Sequence, residues 1–247
     1  MLGKNKLGDF YLIYDGEPLS DHFIVKSVEM PLMPNISAST LDIDGKPGSW
    51  FSSRKIETRN ITAHVAMLND NKNRVDMMEK WLLQSDFLSK DKECKLEIGG
   101  GYYVNAILTG NTPIKREGGV WSEVSVNFTC YDPYIYGEEH TESLTAGNNN
   151  IYVYGKKPVW PIFDITGSSS SSPNTVTYTQ KIKMVRVPNL TSTTKLIIDN
   201  DKHKCTVNGV YKAVDPSVTD FFSLDPGDAT IKLDYGSGTI TYRERYL

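Results

Sequence analysis

Residues 120–131 constrain the fold more than any other part of this chain. Val120, Val124, Val126, Phe128 and Cys130 share one parity, broken only by Ser122, while Trp121, Glu123, Ser125, Asn127 and Thr129 share the other. Strand side chains point alternately to opposite faces, so the pattern predicts a long strand with one face in a core. Asp132-Pro133 ends it, because a residue before proline is driven to extended or turn geometry and proline donates no ladder bond. A strand of this kind demands partners, and the neighbouring sequence supplies them.

Arg59–Leu68 alternates in the same way, with Ile61, Ala63, Val65 and Met67 on one side and Thr62, His64 and Ala66 on the other. His64 reads as a polar strand residue, since no second histidine or carboxylate is spaced to make it a ligand. Lys95–Leu108 is a further strand region, turned or bulged at Gly99-Gly100-Gly101. A glycine-rich loop can also cradle phosphate, but that use needs a following helix and a Lys-Ser or Lys-Thr pair. Here Tyr102-Tyr103-Val104 follows, which continues as strand. Phe10–Tyr14 and His22–Met30 are apolar segments on either side of the turn pair Asp15-Gly16. Pro31 and Pro34 then disfavour a ladder strand.

One helix is predicted after Asn69-Asp70-Asn71, whose side chains can accept bonds from free backbone N–H groups. Val75, Met78, Trp81 and Leu82 recur at helical spacing and read as core, so the helix is expected to cover a sheet. Residues 41–55, centred on Asp44-Gly45-Lys46-Pro47-Gly48-Ser49-Trp50-Phe51, read as an exposed excursion. Its aromatics either pack back on their own core or meet another subunit, and both readings stay open.

Residues 138–157 change character. Glu138-Glu139-His140, Gly147-Asn148-Asn149-Asn150 and Gly155-Lys156-Lys157-Pro158 are polar or turn-forming, with room for a short strand at Ile151–Tyr154. A domain boundary is expected there, giving residues 1–137 and 138–247. The second half begins with the apolar run Val159–Ile165, followed by a serine loop at Ser168–Ser172. Strands follow at Thr175–Val187, Thr194–Ile198, Cys205–Val210, Thr230–Leu233 and Thr239–Arg243. Turns at Asn208-Gly209 and Tyr235–Gly238 separate some of them, and no helix is visible. Short strands with regular turn punctuation predict a β-sandwich.

The 247 residues include 39% hydrophobic and 11% aromatic side chains, enough for two cores. The net charge is −3, and residues 138–247 hold 12 basic and 12 acidic groups against 15 and 18 in the first 137. No concentrated positive face for gripping a phosphate backbone is evident. Cys94, Cys130 and Cys205 are an odd, widely spaced set that makes a poor disulfide framework, so folding in a reducing compartment is expected. No secretory signal is visible and no apolar run reaches membrane-spanning length.

Hydrolase, phosphate-loop and Cys-x-x-Cys motifs are missing, and His22, His64, His140 and His203 are scattered. Asp199, Asp201, His203 and Cys205 would share a face if extended, but Asp199-Asn200-Asp201 reads as a hairpin turn, and the mixed donors suit no single metal. A carbohydrate-binding module is the alternative function, stacking a sugar on Trp160, Tyr178 or Tyr211. Trp160, beside Phe163 in an apolar strand, reads instead as core.

Two signatures close the halves: Asn127-Phe128-Thr129-Cys130-Tyr131-Asp132-Pro133-Tyr134, and Asp220-Phe221-Phe222-Ser223-Leu224-Asp225-Pro226-Gly227 ahead of a final Thr241-Tyr242-Arg243-Glu244-Arg245-Tyr246-Leu247. With the Asp15-Gly16 turn, the Asp44–Ser49 excursion, the Arg54–Leu68 strand, the single helix, the Lys195–Asp199 strand and the Asn208-Gly209 turn, the order resembles that of the distal tail proteins of long-tailed bacteriophages. The resemblance implies a mainly β fold of two domains, an amino-terminal sandwich-like ring domain with one helix and a carboxy-terminal galectin-like sandwich. It implies a structural virion protein with neither catalysis nor cofactor. Six copies would ring the tail axis, between the tail tube protein and a tail-associated fibre or lysin-type protein, with the outer domains available to receptor-binding proteins. Trp50, Phe51 and Arg54 are the expected contacts between copies. Nucleic acid would pass without specific binding, no membrane is engaged, and assembly would take place in the host cytoplasm. Larger relatives carry an inserted sugar-binding module, for which this chain has no room.

Overall fold

The computed structural model describes residues 12–68, 74–117, 121–167, 173–188, 190 and 195–247. The chain divides into two compact units, Met1–Ile135 with Leu247, and Tyr136–Tyr246. Both are mainly β.

In the first unit, β1 (Ile13–Tyr14) and β2 (Glu17–Pro18) form a small hairpin closed by Asp15 and Gly16, both at positive φ (53° and 87°). That is the backbone a tight hairpin turn requires. A single helical turn, α1 (Leu19–His22), leads into β3 (Ile24–Glu29). Next come β4 (Ile36–Asp42), β5 (Ser49–Ile56) and β6 (Arg59–Leu68), then the helix α2 (Arg74–Leu88). β7 (Cys94–Gly99), β8 (Tyr102–Leu108), β9 (Lys115–Glu117) and β10 (Trp121–Cys130) complete the unit.

The two alternating segments found in the sequence pair with each other. β10 runs antiparallel to β6 from Trp121 opposite Leu68 to Cys130 opposite Arg59, and β6 pairs on its other edge with β3. Ile61, Ala63, Val126, Phe128 and Cys130 are buried, as their parity requires. β8 pairs with β7, β7 with β1, and β8 also meets β10 at Phe128 and Thr129. Tyr14 anchors the core, its ring 4.9 Å from Phe128 and 6.0 Å from Phe87 of α2.

The helix covers the sheet, but not by the expected stripe. Phe87 and Leu88 are buried and Trp81 packs partly against the core, whereas Leu82 is 65% exposed. Leu82 stands one residue, and so a large rotation, from Trp81; the inward face is set by Trp81, Gln84 and Leu88, at spacings of three and four. The expected cap Asn69–Asn71 and the side chains of Val75 and Met78 lie outside the described residues.

The second unit opens with β11 (Ile135–Val153), a long strand where the sequence reading placed a polar, turn-forming stretch. Its buried residues, Gly137, Leu144, Ile151 and Val153, are too sparse to show as alternation. β12 (Ile162–Thr166) and β13 (Asn174–Tyr178) follow. A short 3₁₀ turn at Thr179–Lys181 separates β13 from β14 (Lys183–Val187), so Thr175–Val187 is a hairpin rather than one strand. β15 (Lys195–Asp199), β16 (Lys204–Val207) and β17 (Val210–Tyr211) form a meander.

The final strand, β18 (Gly227–Tyr246), runs through Tyr235–Gly238, where a turn was expected. Its first part pairs with β13 at Ile231–Leu233, its second with β12 at Ser237–Thr241. Glycine permits this change of partner. A Cβ on Gly236 would lie 2.5 Å from the carbonyl oxygen of Gly167, and one on Gly238 would lie 2.0 Å from that of Asp164. Phe163, Ile165, Leu196, Ile198, Leu233 and Ile240 are buried between these strands.

A candidate assembly surface

Both sequence signatures prove to be packing devices. In the first, Phe128 and Cys130 enter the core and the turn is tied down by Arg59, which is fully buried. Arg59 Nε donates to the Pro133 carbonyl at 3.1 Å and Nη1 to the Pro31 carbonyl at 2.7 Å. Burial pushes the guanidinium pKa down from its ordinary value, with the Cys130 thiol acting in the opposite sense. In the second, Phe222 stacks near Tyr178 and Phe163, each 5.9 Å away, and Leu224 exchanges backbone bonds with Val159. Buried Asn200 joins the two, donating to the Pro161 carbonyl at 2.8 Å and accepting from the Phe222 N–H at 3.1 Å.

The residues weighed for chemistry do not converge. Asp199 ends β15, the next residues turn, and His203 (φ 50°) stacks on Phe221 at 5.1 Å. Cys205 is buried, and burial pushes its thiol pKa up to about 12. Among the described residues no group of three His, Cys, Asp or Glu side chains is placed to hold a metal. All three cysteines are free and buried. Of the rings considered for sugar stacking, Tyr178 is 2% exposed and so unavailable, Trp160 is half-buried, and only Tyr211, on the short strand β17, stands clear of the surface. A polar cluster joins the ends of the second unit: His140 Nε2 donates to Glu244 at 2.9 Å, and its ring stacks on Tyr154 and Tyr242.

The feature without an internal explanation is the β4–β5 hairpin. Among the described residues these strands pair only with each other, in a sheet of their own. The excursion is thus a regular ribbon, not a loop. Its aromatics do not pack back on the core: Trp50 is 54% and Phe51 65% exposed. Arg54 stands exposed on the same strand. The register places Leu41 opposite Trp50 and Thr40 opposite Phe51, after a bulge beyond Ser39. Neighbouring residues of a strand face opposite ways, so Leu41 and Trp50 share one face while Phe51 lies on the other. Leu32, 90% exposed, and Met33 add apolar surface at the root. The sequence signal for Leu41 was its place directly before the turn, visible only once the register is known.

Residues 154–246 match the siphovirus-type tail component family, in its C-terminal domain. The chain is 23% identical over 256 residues to the distal tail protein of Bacillus phage SPP1, across 96% of each chain. The crystal structure of that phage's Dit protein, a hub of the adsorption apparatus in phages infecting Gram-positive hosts, matches with a TM-score of 0.84 at 19% identity, over 96% of this chain and 99% of that one. A chain of the phage P2 baseplate in its activated, calcium-bound conformation matches with a TM-score of 0.50 at 13% identity, over 96% of this chain and 98% of that one. Residues 154–246 thus fit the C-terminal domain of the siphovirus-type tail component family, and along nearly its whole length the chain is similar in sequence and fold to a phage distal tail protein.

Proposed function

We propose that this protein is a structural component of the phage tail tip, where six copies close into a ring that joins the tail tube to the baseplate and host-adhesion apparatus. The observation that carries this reading is the similarity to the SPP1 distal tail protein across 96% of both chains. In this reading residues 1–137 form the ring, and residues 138–247 form a galectin-like sandwich directed outward. Trp50, Phe51 and Arg54 of the β4–β5 arm lie between copies. The tail tube protein covers one face of the ring, a tail-associated fibre or lysin-type protein the other, and the outer domains are open to a receptor-binding protein.

Physical chemistry supports the reading. An isolated two-stranded ribbon is at best marginally stable in water, and exposed apolar ribbons aggregate unless covered. A closed ring covers such a surface on every copy at once. The acidic balance of the first 137 residues, 15 basic to 18 acidic, leaves DNA free to pass through the ring without being held. The protein catalyses nothing, engages no membrane, and assembles in the host cytoplasm before residing in the virion. Negative-stain images of the purified full-length protein test this directly: six-fold rings are expected. Only isolated single chains, together with antibody labelling that misses the tail tip of intact virions, would refute it.

A further inference from the structure

The turn that closes the β13–β14 hairpin carries a side chain that suits neither its backbone nor its surroundings. Tyr178 pairs with Lys183, so residues 179–182 make a four-residue loop. The 3₁₀ turn takes up the first three, and Ile182 returns the chain at φ 53° and ψ 36°, in the left-handed region. Glycine and asparagine settle there readily, whereas other L side chains crowd the following carbonyl oxygen, and a β-branched one is a genuine outlier. Ile182 is also 80% exposed. It gives the hairpin neither a relaxed backbone nor buried area. Such strain persists only where the surrounding structure over-determines it, and its common use is in contact with something else.

The loop is over-determined on both sides of Ile182. Gln180 Oε1 accepts from the Thr230 N–H at 3.0 Å, and Gln180 Nε2 donates to Thr230 Oγ1 at 3.4 Å. Lys181 Nζ reaches the Asp225 carboxylate at 2.7 Å, and Lys183 Nζ that of Asp220 at 2.9 Å. Three residues of the tip are thus tied to β18 or to the segment leading into it, and the apolar side chain among them is left in water.

A fixed aliphatic knob flanked by ion pairs has the make-up of an interface anchor, an apolar centre that fills a socket and a polar rim that shuts out water. The flanking charges select the kind of partner. Each lysine is balanced by an aspartate, so the tip has no net positive charge to draw it to anionic lipid headgroups. Isoleucine offers a sugar neither a ring face nor a hydrogen bond. The complement is a protein surface with an apolar socket and both signs of charge at its rim, continuing the two ion pairs. We propose that Ile182 is a docking knob for a different protein of the tail tip, seated in an apolar socket of that protein, and that the hairpin keeps a strained residue for this contact. The proposal rests on the outward placement of residues 138–247 given above and names the point of contact.

The test compares free full-length protein with intact virions. The three native cysteines are free and buried, so Ile182→Cys places an accessible thiol at the tip, and Tyr211→Cys, at a residue 67% exposed on β17, reports general access to the second unit. A maleimide is expected to label Ile182→Cys at least about tenfold more slowly in virions than in free protein, and Tyr211→Cys at similar rates in both. A thiol-to-amine cross-linker applied to the same virions is expected to join Ile182→Cys to a different tail protein, identified by peptide mass spectrometry. Ile182→Asn, which the left-handed backbone accepts, is expected to raise the melting temperature of the free protein by about 2–4 °C. The same variant is expected to lower the amount of that partner on virions about tenfold, while Ile182→Leu retains it. Six-fold rings in which Ile182→Cys reacts as fast in virions as in free protein, is slowed no more than Tyr211→Cys, or links only to another copy of this chain would overturn the knob and leave the ring standing. An Ile182→Asn protein that melts below the native one would remove the strain and the proposal with it. A chain that forms no rings and is missing from virions would overturn both readings.

Discussion

Arg59 ties three separate stretches of chain together, with no carboxylate partner among the described residues. Its two bonds to the carbonyls of Pro31 and Pro133 hold the start of β6 against the turn that follows β10. Removing it deletes both bonds, strands two carbonyls and leaves a hole. Arg59→Ala is therefore expected to lower stability by about 2–4 kcal/mol, read as a fall in the denaturant midpoint. Glu244 is one residue where pH acts. Burial opposes its charge, but hydrogen bonds from His140, Tyr246 and the Glu138 backbone outweigh burial and hold its pKa below the ordinary 4.5. A carboxyl with a depressed folded pKa contributes stability above its unfolded pKa and loses it as pH falls through the folded one. The second unit is thus expected to weaken as pH drops below about 4.5, and Glu244→Gln to be less stable at neutral pH with a shallower acid dependence. Thermal melts of the two proteins between neutral pH and pH 3 check this; parallel curves would contradict it.

Among the elements, β18 makes the sharpest demand on sequence. Gly238 pairs with Ile165 where the strands approach too closely for any side chain, since an added Cβ would meet the Asp164 carbonyl oxygen at 2.0 Å. Gly238→Ala is expected to cost more than about 4 kcal/mol or to abolish folding of the second unit. Gly209, in an open turn with a positive φ of 82°, has nothing within 4 Å of an added Cβ. Gly209→Ala should cost only about 1 kcal/mol, from backbone strain alone. Urea titrations of the two variants separate steric exclusion from turn preference. The same contrast explains which elements the sequence reading reached. β6 and β10 were legible because their core residues recur at every second position. β11 was not, because its core face is built from widely spaced residues between polar ones. Tyr235–Gly238 carried a turn's composition, yet its glycines serve close strand contact. The helix was found, but its inward face was misassigned, since Leu82 looks like core to any reading that lacks the sheet. For the candidate site, Trp50 and Phe51 were marked by the turn before them, while the pairing that sets Leu41 opposite Trp50 has no local signature.

At the scale of the whole molecule, every described polar cluster weighed for chemistry turned out to serve packing, and the surface left without an internal role is an apolar arm. That pattern suits a protein whose work is done between copies. Trp50 and Phe51 carry the exposed aromatic area of the arm on its two faces, so replacing both should abolish assembly and leave each chain folded. Native mass spectrometry of the full-length protein beside the variant Trp50→Ser/Phe51→Ser is the most direct test. The native chain is predicted at six times the 27.7 kDa of one copy, and the variant at a single copy with an unchanged circular dichroism spectrum. A native chain that remains at 27.7 kDa at every concentration, or a variant that assembles as well as the native protein, would contradict the account.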